Sequence, residues 1–404
     1  MSEDAAGSML RSLMNSIPTP HDQRWTKRFM EIPRLVSSAS AKLDSEQPQQ
    51  KEQTPLLIQS SAQFTNSFVP PDYLIDGLLQ RRYFYLLTGR TGSAKTSLAL
   101  LFAACVALGL PVGPLETERG RVLFFAGENA DDTRARWIAL AQQMQFDVET
   151  IDVHFIPGKF SISQLKQRIY REIEALGGVE FLIVDTSSTY FETDDENDAM
   201  QMLRHAHLLR GLTALPGGPC ILANCHPAKH ATDDNLLPRG GGSFLNECDG
   251  NLIARIDDMK VELHWQGKFR GPDFAPIYFM LKSGVTHERL KDTKGRLIPT
   301  VVASHLSDVA RQEMTKNARF DEDLLLQAVS KAPAAAVTDL ARELNWYTGK
   351  GEPYKSKVHR IIKRLKAQKL LKEERGRFEL TERGQKILAA QGKDKRQTKQ
   401  DSDE

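Results

Sequence analysis

Residues Gly89 to Thr96 read GRTGSAKT, a loop of small side chains closed by a lysine and a threonine. An apolar run, Tyr83 to Leu87, precedes it, and the helix-forming SLALLFAACVAL follows. In a strand, loop and helix of this kind the loop N–H groups converge on phosphate oxygens, and the helix N-terminus adds partial positive charge. Lys95 is then placed to reach the β and γ phosphates of a nucleoside triphosphate, and the Thr96 hydroxyl to ligate Mg²⁺. The candidate nucleotide-binding set is therefore Gly89, Arg90, Thr91, Gly92, Ser93, Ala94, Lys95, Thr96 and Ser97. One residue departs from the G-x-x-x-x-G-K-[ST] pattern. Ala94 stands where glycine is usual, and its methyl group can crowd a phosphate or strain the backbone. A glycine-rich turn without a ligand is the plain alternative, and the Lys-Thr pair argues against it.

Hydrolysis of a bound triphosphate also needs a metal-holding carboxylate and a group that positions water. Asp185 ends the run FLIVD and is the candidate for the Mg²⁺ hydration shell, although a carboxylate there can simply cap the next helix. Glu128 follows RVLFFAG in the same way and is the candidate general base, with Asn129 beside it. Asp131 and Asp132 read as the start of the helix DDTRARW. In open α/β sheets ligands bind at the carboxyl ends of the strands, so both carboxylates belong on one edge.

The elements that must position these groups are legible as short apolar runs, at Arg121 to Ala126, Val153 to Ile156, Phe181 to Val184 and Cys220 to Ala223. Runs apolar on both faces predict parallel strands covered by helices. Amphipathic stretches at Thr133 to Gln145, Ser163 to Leu176 and Asp198 to Leu212 supply those helices. The alternation predicts an α/β fold with a doubly wound, mostly parallel sheet. Alternating runs at Asp249 to Ile256, Lys260 to Trp265 and Ala275 to Leu281 predict antiparallel late strands.

Composition bounds the rest. The 404 residues have room for two or three domains, and the formal net charge is only +2, so affinity for nucleic acid must come from local patches. No apolar run reaches the roughly 18 residues that cross a bilayer, so no membrane partner is expected. The acidic start MSEDAAGSMLRSLMNS lacks the basic and apolar regions of a secretory leader. Cys105, Cys220, Cys225 and Cys248 have no C-x-x-C spacing and read as reduced thiols. A cytoplasmic protein is expected. Residues 1–67 are rich in Ser, Gln, Pro and Lys and read as a disordered arm; 68–310 read as the ATPase domain; 391–404 read as a disordered tail.

Residues 318–390 predict helix, helix, helix and hairpin, the order of a winged helix. The third helix, KSKVHRIIKRLKAQK, turns Val358, Ile361, Ile362 and Leu365 inward and Lys355, Lys357, Arg360, Lys363 and Arg364 outward. Such a basic face suits the major groove of duplex DNA, with Lys372, Arg375 and Arg377 on the wing near phosphates. A solvated face or a protein-docking surface is the alternative.

Taken together, GRTGSAKT, GEN-x-DD, FLIVDT and CHPAKH, followed by a glycine-rich loop and a GKFRGP turn, resemble the RecA-like ATPases, and most closely the plasmid RepA-type hexameric replicative helicases. The likeness covers about Phe68 to Leu281. It implies a RecA-like fold, ATP and Mg²⁺ as cofactors, a homo-oligomer, expected as a hexamer, and single-stranded DNA in the ring pore. It implies that Glu128 activates water and that His226, ending a core strand, senses the γ-phosphate. NLLPRGGGSFLNECDG takes the place of the family's mobile pore loop, where Gly240, Gly241, Gly242, Arg239 and the nearby Lys229 face DNA. Phe244 is the one aromatic residue there that can stack on a base. Lys268 and Arg270, at a turn between late strands, match basic residues that reach a neighbouring subunit's γ-phosphate. Asp195, Glu196 and Asn197 match a segment that orders the loop. The function implied is an ATP-driven helicase or DNA-remodelling motor in replication or repair. The alternative is a non-motor DNA-binding protein in which ATP is an assembly switch.

Overall fold

The computed structural model describes residues 58–390 except 197, 233, 334, 349–350 and 375–376. Residues 1–57 of the expected arm, the expected tail 391–404, Asn197, and Arg375 and Gly376 of the expected wing lie outside the described residues. The chain divides into two units, Met1–Pro70 and Pro71–Glu404. In the first, α1 (Ser61–Asn66) is a short helix inside the segment read as disordered. Its capping box explains it: Ser60 Oγ accepts from the Gln63 N–H, and Gln63 Oε1 accepts from the Ser60 N–H.

The second unit opens with a small hairpin, β1 (Tyr73–Ile75) and β2 (Leu79–Gln80), which leads into β3 (Phe84–Thr88). The core elements follow as α2 (Lys95–Leu108), β4 (Val122–Ala126), α3 (Ala130–Met144), β5 (Val153–Pro157), α4 (Ile162–Leu176), β6 (Phe181–Asp185), α5 (Ala199–Arg210), β7 (Cys220–Cys225), α6 (Gly241–Glu247) and β8 (Gly250–Asp257). Three antiparallel strands close the sheet: β9 (Lys260–Phe269), β10 (Ile277–Val285) and β11 (Thr300–His305). The strand order is β11-β10-β9-β8-β3-β7-β6-β4-β5, with β8 through β5 parallel.

Two apolar layers hold this sheet because successive side chains of a strand point to opposite faces. Tyr85, Leu87, Phe124 and Ile183 join α2 on one face, and Phe84, Leu86, Phe125 and Val184 join α4 and α5 on the other. Helix α2 is buried along most of its length, consistent with a sequence apolar all round. All four cysteines are buried free thiols.

After β11 come α7 (Asp308–Lys331), α8 (Val337–Glu343), α9 (Lys355–Ala367) and the hairpin β12 (Leu371–Glu374) with β13 (Arg377–Leu380). They share a separate core in which Leu325, Leu340, Val358, Ile362, Leu365 and Phe378 are buried. Val358, Ile361, Ile362 and Leu365 line the buried face of α9, as their spacing requires. Among the described residues, no helix is long and apolar enough to cross a membrane.

The core also holds a titratable group. His205 on α5 is 4% exposed, its Nε2 lies 2.9 Å from Ser187 Oγ, and its Nδ1 has no partner. Burial pushes its pKa down to about 4, against the pull of Glu192 and Glu196. Because the folded value lies below the ordinary 6.5, the unfolded chain binds more protons between those pH values, and stability falls as pH drops through that window. At about 1.4 kcal/mol per unit the loss is about 3 kcal/mol between pH 7 and pH 4. Urea midpoints across this range should show it, and His205→Gln should flatten the slope.

Candidate nucleotide site

The loop after β3 returns tightly because Gly89 has no side chain. A Cβ at that position would meet Ser93 Oγ at 2.3 Å and the Ala254 carbonyl at 2.8 Å. Ala94 adopts φ 68°, ψ 19°, the left-handed conformation that glycine takes without cost. The departure seen in the sequence is thus one of backbone strain, of the order of 1 kcal/mol. Ala94→Gly is expected to keep ATPase activity and to leave thermal stability unchanged or raised by up to about 1 kcal/mol, because strain relief is partly offset by added unfolded-state entropy. A large loss of either would contradict this geometry.

Lys95 is 6% exposed, and its Nζ donates to the carbonyls of Gly89 at 2.8 Å and Arg90 at 3.1 Å. The Thr96 hydroxyl donates to Asp185 Oδ2 at 2.8 Å, and Asn224 Nδ2 donates to Asp185 Oδ1 at 2.7 Å. Asn224 is available because β7 lies between β3 and β6, so its end reaches both. Burial pushes the Asp185 carboxyl upward and the Lys95 ammonium downward, and the attraction between the two opposes both shifts. Glu128 is exposed just past β4, where the Gly127 and Glu128 N–H groups bond to the Asp185 carbonyl. The carbonyl of His226, just past β7, accepts from the Arg239 N–H at 2.9 Å. Burial lowers the His226 pKa, Lys95 lowers it further, and the neutral ring is favoured at pH 7.

These groups line one cavity of about 530 Å³ at the carboxyl edge of the sheet: Thr91 to Thr96, Glu128, Asp185 and His226 all face it. A nucleotide and a hard cation fit this lining. Two oxygen donors, the Thr96 hydroxyl and the Asp185 carboxylate, sit side by side as Mg²⁺ ligation needs. Ser93 Oγ and Asn224 Oδ1 are buried here without hydrogen-bond partners. Ser97 lies in the first turn of α2, where its hydroxyl accepts from Arg136 at 2.8 Å.

Sequence reasoning missed several lining residues. Asp132 starts α3 as expected, yet it also lines the cavity and holds Arg136 at 2.7 Å. The (i, i+4) spacing of that pair was the available signal. Ile256, Met259, Leu281, Ser283 and Val301 form an opposite wall that no local motif marks.

Other expected residues lie elsewhere. Lys268 falls within β9, whereas Arg270 lies just past it in the connection to β10, between two late strands as expected; neither lines the cavity. They sit at the amino-terminal edge of β8, where Arg270 Nη1 pairs with the buried Asp249 at 3.1 Å and Lys268 Nζ bonds to the Asn246 carbonyl. The glycine-rich segment contains α6, which starts at Gly241 with Gly242 exposed; Gly240 takes φ 94°. Arg239 pairs with Glu196 at 2.9 Å, and Lys229 is exposed. Phe244 corrects the expectation of a stacking aromatic: it is 2% exposed and packs near Phe84 and His205. On α9, Lys355 is exposed, Lys357 pairs with Asp321 at 2.8 Å and Arg360 with Asp258 at 2.7 Å; Arg377 on β13 is exposed.

A central mostly parallel sheet with this loop is consistent with a RecA-like P-loop fold, and the site is that of a P-loop nucleoside triphosphatase. Residues 49–231 match the model of a protein family described as an AAA domain. That match spans the phosphate loop, Glu128, Asp185 and His226 and stops before β8. No curated protein matches the chain.

Proposed function

We propose that this protein is an ATP-hydrolysing, RecA/RepA-like oligomeric motor that acts on DNA, with residues 318–390 as a winged-helix module that places the motor on its target. The observation that carries the reading is the convergence of Lys95, Thr96, Asp185, Glu128 and His226 on one cavity at the strand ends. The Thr96 hydroxyl and the Asp185 carboxylate would hold a Mg²⁺, which would supply charge neutralisation to the triphosphate. Lys95 binds and orients the γ-phosphate through its ammonium. The Glu128 carboxylate takes the proton of the attacking water. His226, neutral and pinned through its carbonyl to Arg239, reports the state of the phosphate to the segment expected to face single-stranded DNA. With Phe244 buried, DNA contact there rests on backbone and charge and is tolerant of sequence.

The position of Arg270 supports shared sites. It is 61% exposed at the edge opposite its own chain's cavity, so it serves a γ-phosphate only in a neighbouring subunit. Arg270→Ala should lose ATP hydrolysis by a factor of about 10³. Mixing it with Lys95→Ala should restore part of the rate, since some interfaces then hold one intact loop and one intact arginine. Absence of rescue overturns the shared site. The motor itself is tested by turnover with and without single-stranded DNA across protein concentration: stimulation that grows with concentration is expected. Slow turnover indifferent to single strands would favour a DNA-binding protein switched by ATP.

A further inference from the structure

Several cations of α9 are engaged within the chain. Arg360 Nη1 donates to Asp258 Oδ1 at 2.7 Å, and Arg364 Nη2 lies 4.0 Å from Asp257 Oδ2. Lys357 is held by Asp321 and stands 4.1 Å over the Trp346 ring. Only part of the basic face, including Lys355 and Lys363, is left exposed. Asp257 and Asp258 form the tip of the hairpin between β8 and β9, where Asp257 faces Lys260. Asp258 has φ 59°, a left-handed conformation that Asp and Asn tolerate better than other side chains. Two carboxylates therefore face α9, that of Asp258 from a backbone conformation that few residue types accept. The neighbours on either side, Ile256 and Met259, line the nucleotide cavity.

We propose that the Asp257–Asp258 tip is an in-chain docking site for α9 that masks Arg360 and Arg364 from the phosphates of duplex DNA, and that nucleotide beside Ile256 and Met259 shifts the masking. This rests on the reading of α9 as the DNA-facing helix and of the cavity as the nucleotide site. The latch is switchable because its ion pairs are partly exposed and so individually weak, while a DNA backbone offers the same arginines a dense row of anions. Hairpin and cavity wall are one piece of backbone, so what fills the cavity and what holds the tip influence each other's equilibrium.

The test is a double-mutant cycle on the full chain, with affinity for a labelled duplex read by fluorescence anisotropy at low salt. Asp258→Asn keeps a residue that accepts the positive φ; Asp257→Asn is the second variant should the first fail to fold. Asp258→Asn is expected to tighten duplex binding about 3- to 10-fold in the wild-type background and to have no effect beside Arg360→Gln. An equal gain in both backgrounds means a general charge effect and overturns the latch, as does no gain in either. A non-hydrolysable ATP analogue with Mg²⁺ should change duplex affinity about threefold or more in the wild type and not in the double variant. A change that persists there, or none in the wild type, overturns the link. Binding of a fluorescent ATP analogue, followed separately, shows whether the nucleotide site itself holds; its failure is distinct from that of the latch.

Discussion

Replacing Lys95 with alanine should weaken nucleotide binding by about 100-fold or more and abolish ATP hydrolysis. Lys95 is 6% exposed and its ammonium is bound by two loop carbonyls, so it is already oriented before it meets a phosphate. Truncating one partner of a buried, hydrogen-bonded charge pair costs about 2–5 kcal/mol, and each 1.4 kcal/mol is tenfold in affinity. A compensating effect works the other way: removing the cation takes away the attraction that holds the Asp185 carboxyl down against burial. The variant should therefore fold, with Asp185 more readily protonated. Calorimetric titration with ATP and Mg²⁺ checks this, and tight binding by Lys95→Ala would remove the phosphate-loop assignment.

Glu128→Gln should separate binding from chemistry. Glu128 is exposed at the cavity and makes no ion pair among the described residues, so the amide preserves shape while losing the capacity to take a proton. A positioned general base is worth about 10² to 10⁴ in rate. Turnover should drop by that factor while nucleotide affinity stays within a few-fold, because phosphate contacts belong to Lys95 and the loop. Loss of affinity equal to the loss of rate would assign Glu128 to ground-state binding instead.

Much of the core was legible because it is built from local signals. Runs such as RVLFFA and FLIVD can only be strands covered on both faces, and the structure places them within one or two residues of their expected bounds. The phosphate loop was legible for the same reason: the constraint on Gly89, Lys95 and Thr96 acts over a few bonds. What escaped reading is non-local. Asn224 reaches Asp185 only because β7 threads between β3 and β6, a consequence of strand order that no local pattern carries. The opposite wall of the cavity comes from β10, β11 and the β8–β9 tip, and β11 is separated from β10 by residues 286–299. Helix α7 begins at Asp308, ahead of the unit expected to start at residue 318, since its first half is mostly exposed and has no apolar stripe to announce it. Its start is fixed instead by the Ser307 cap and by Arg311 stacked 4.5 Å from the Tyr278 ring.

The mobile character expected for the glycine-rich segment comes from its likeness to the pore loop of the RecA-like ATPases. In the fold, Phe244 anchors α6 in the core and Arg239 is tied to Glu196 and His226. Any movement there must break a buried aromatic contact or an ion pair, which ties motion to an event at the His226 end.

The central claim is that a triphosphate and its metal dock at the carboxyl edge between the loop and Asp185. A crystal structure of the full chain with Mg²⁺ and a non-hydrolysable ATP analogue tests it most directly. The metal should be ligated by the Thr96 hydroxyl beside Asp185, with the γ-phosphate against Lys95 and Glu128 facing it. Nucleotide bound elsewhere, or phosphates turned away from Lys95, would contradict the account.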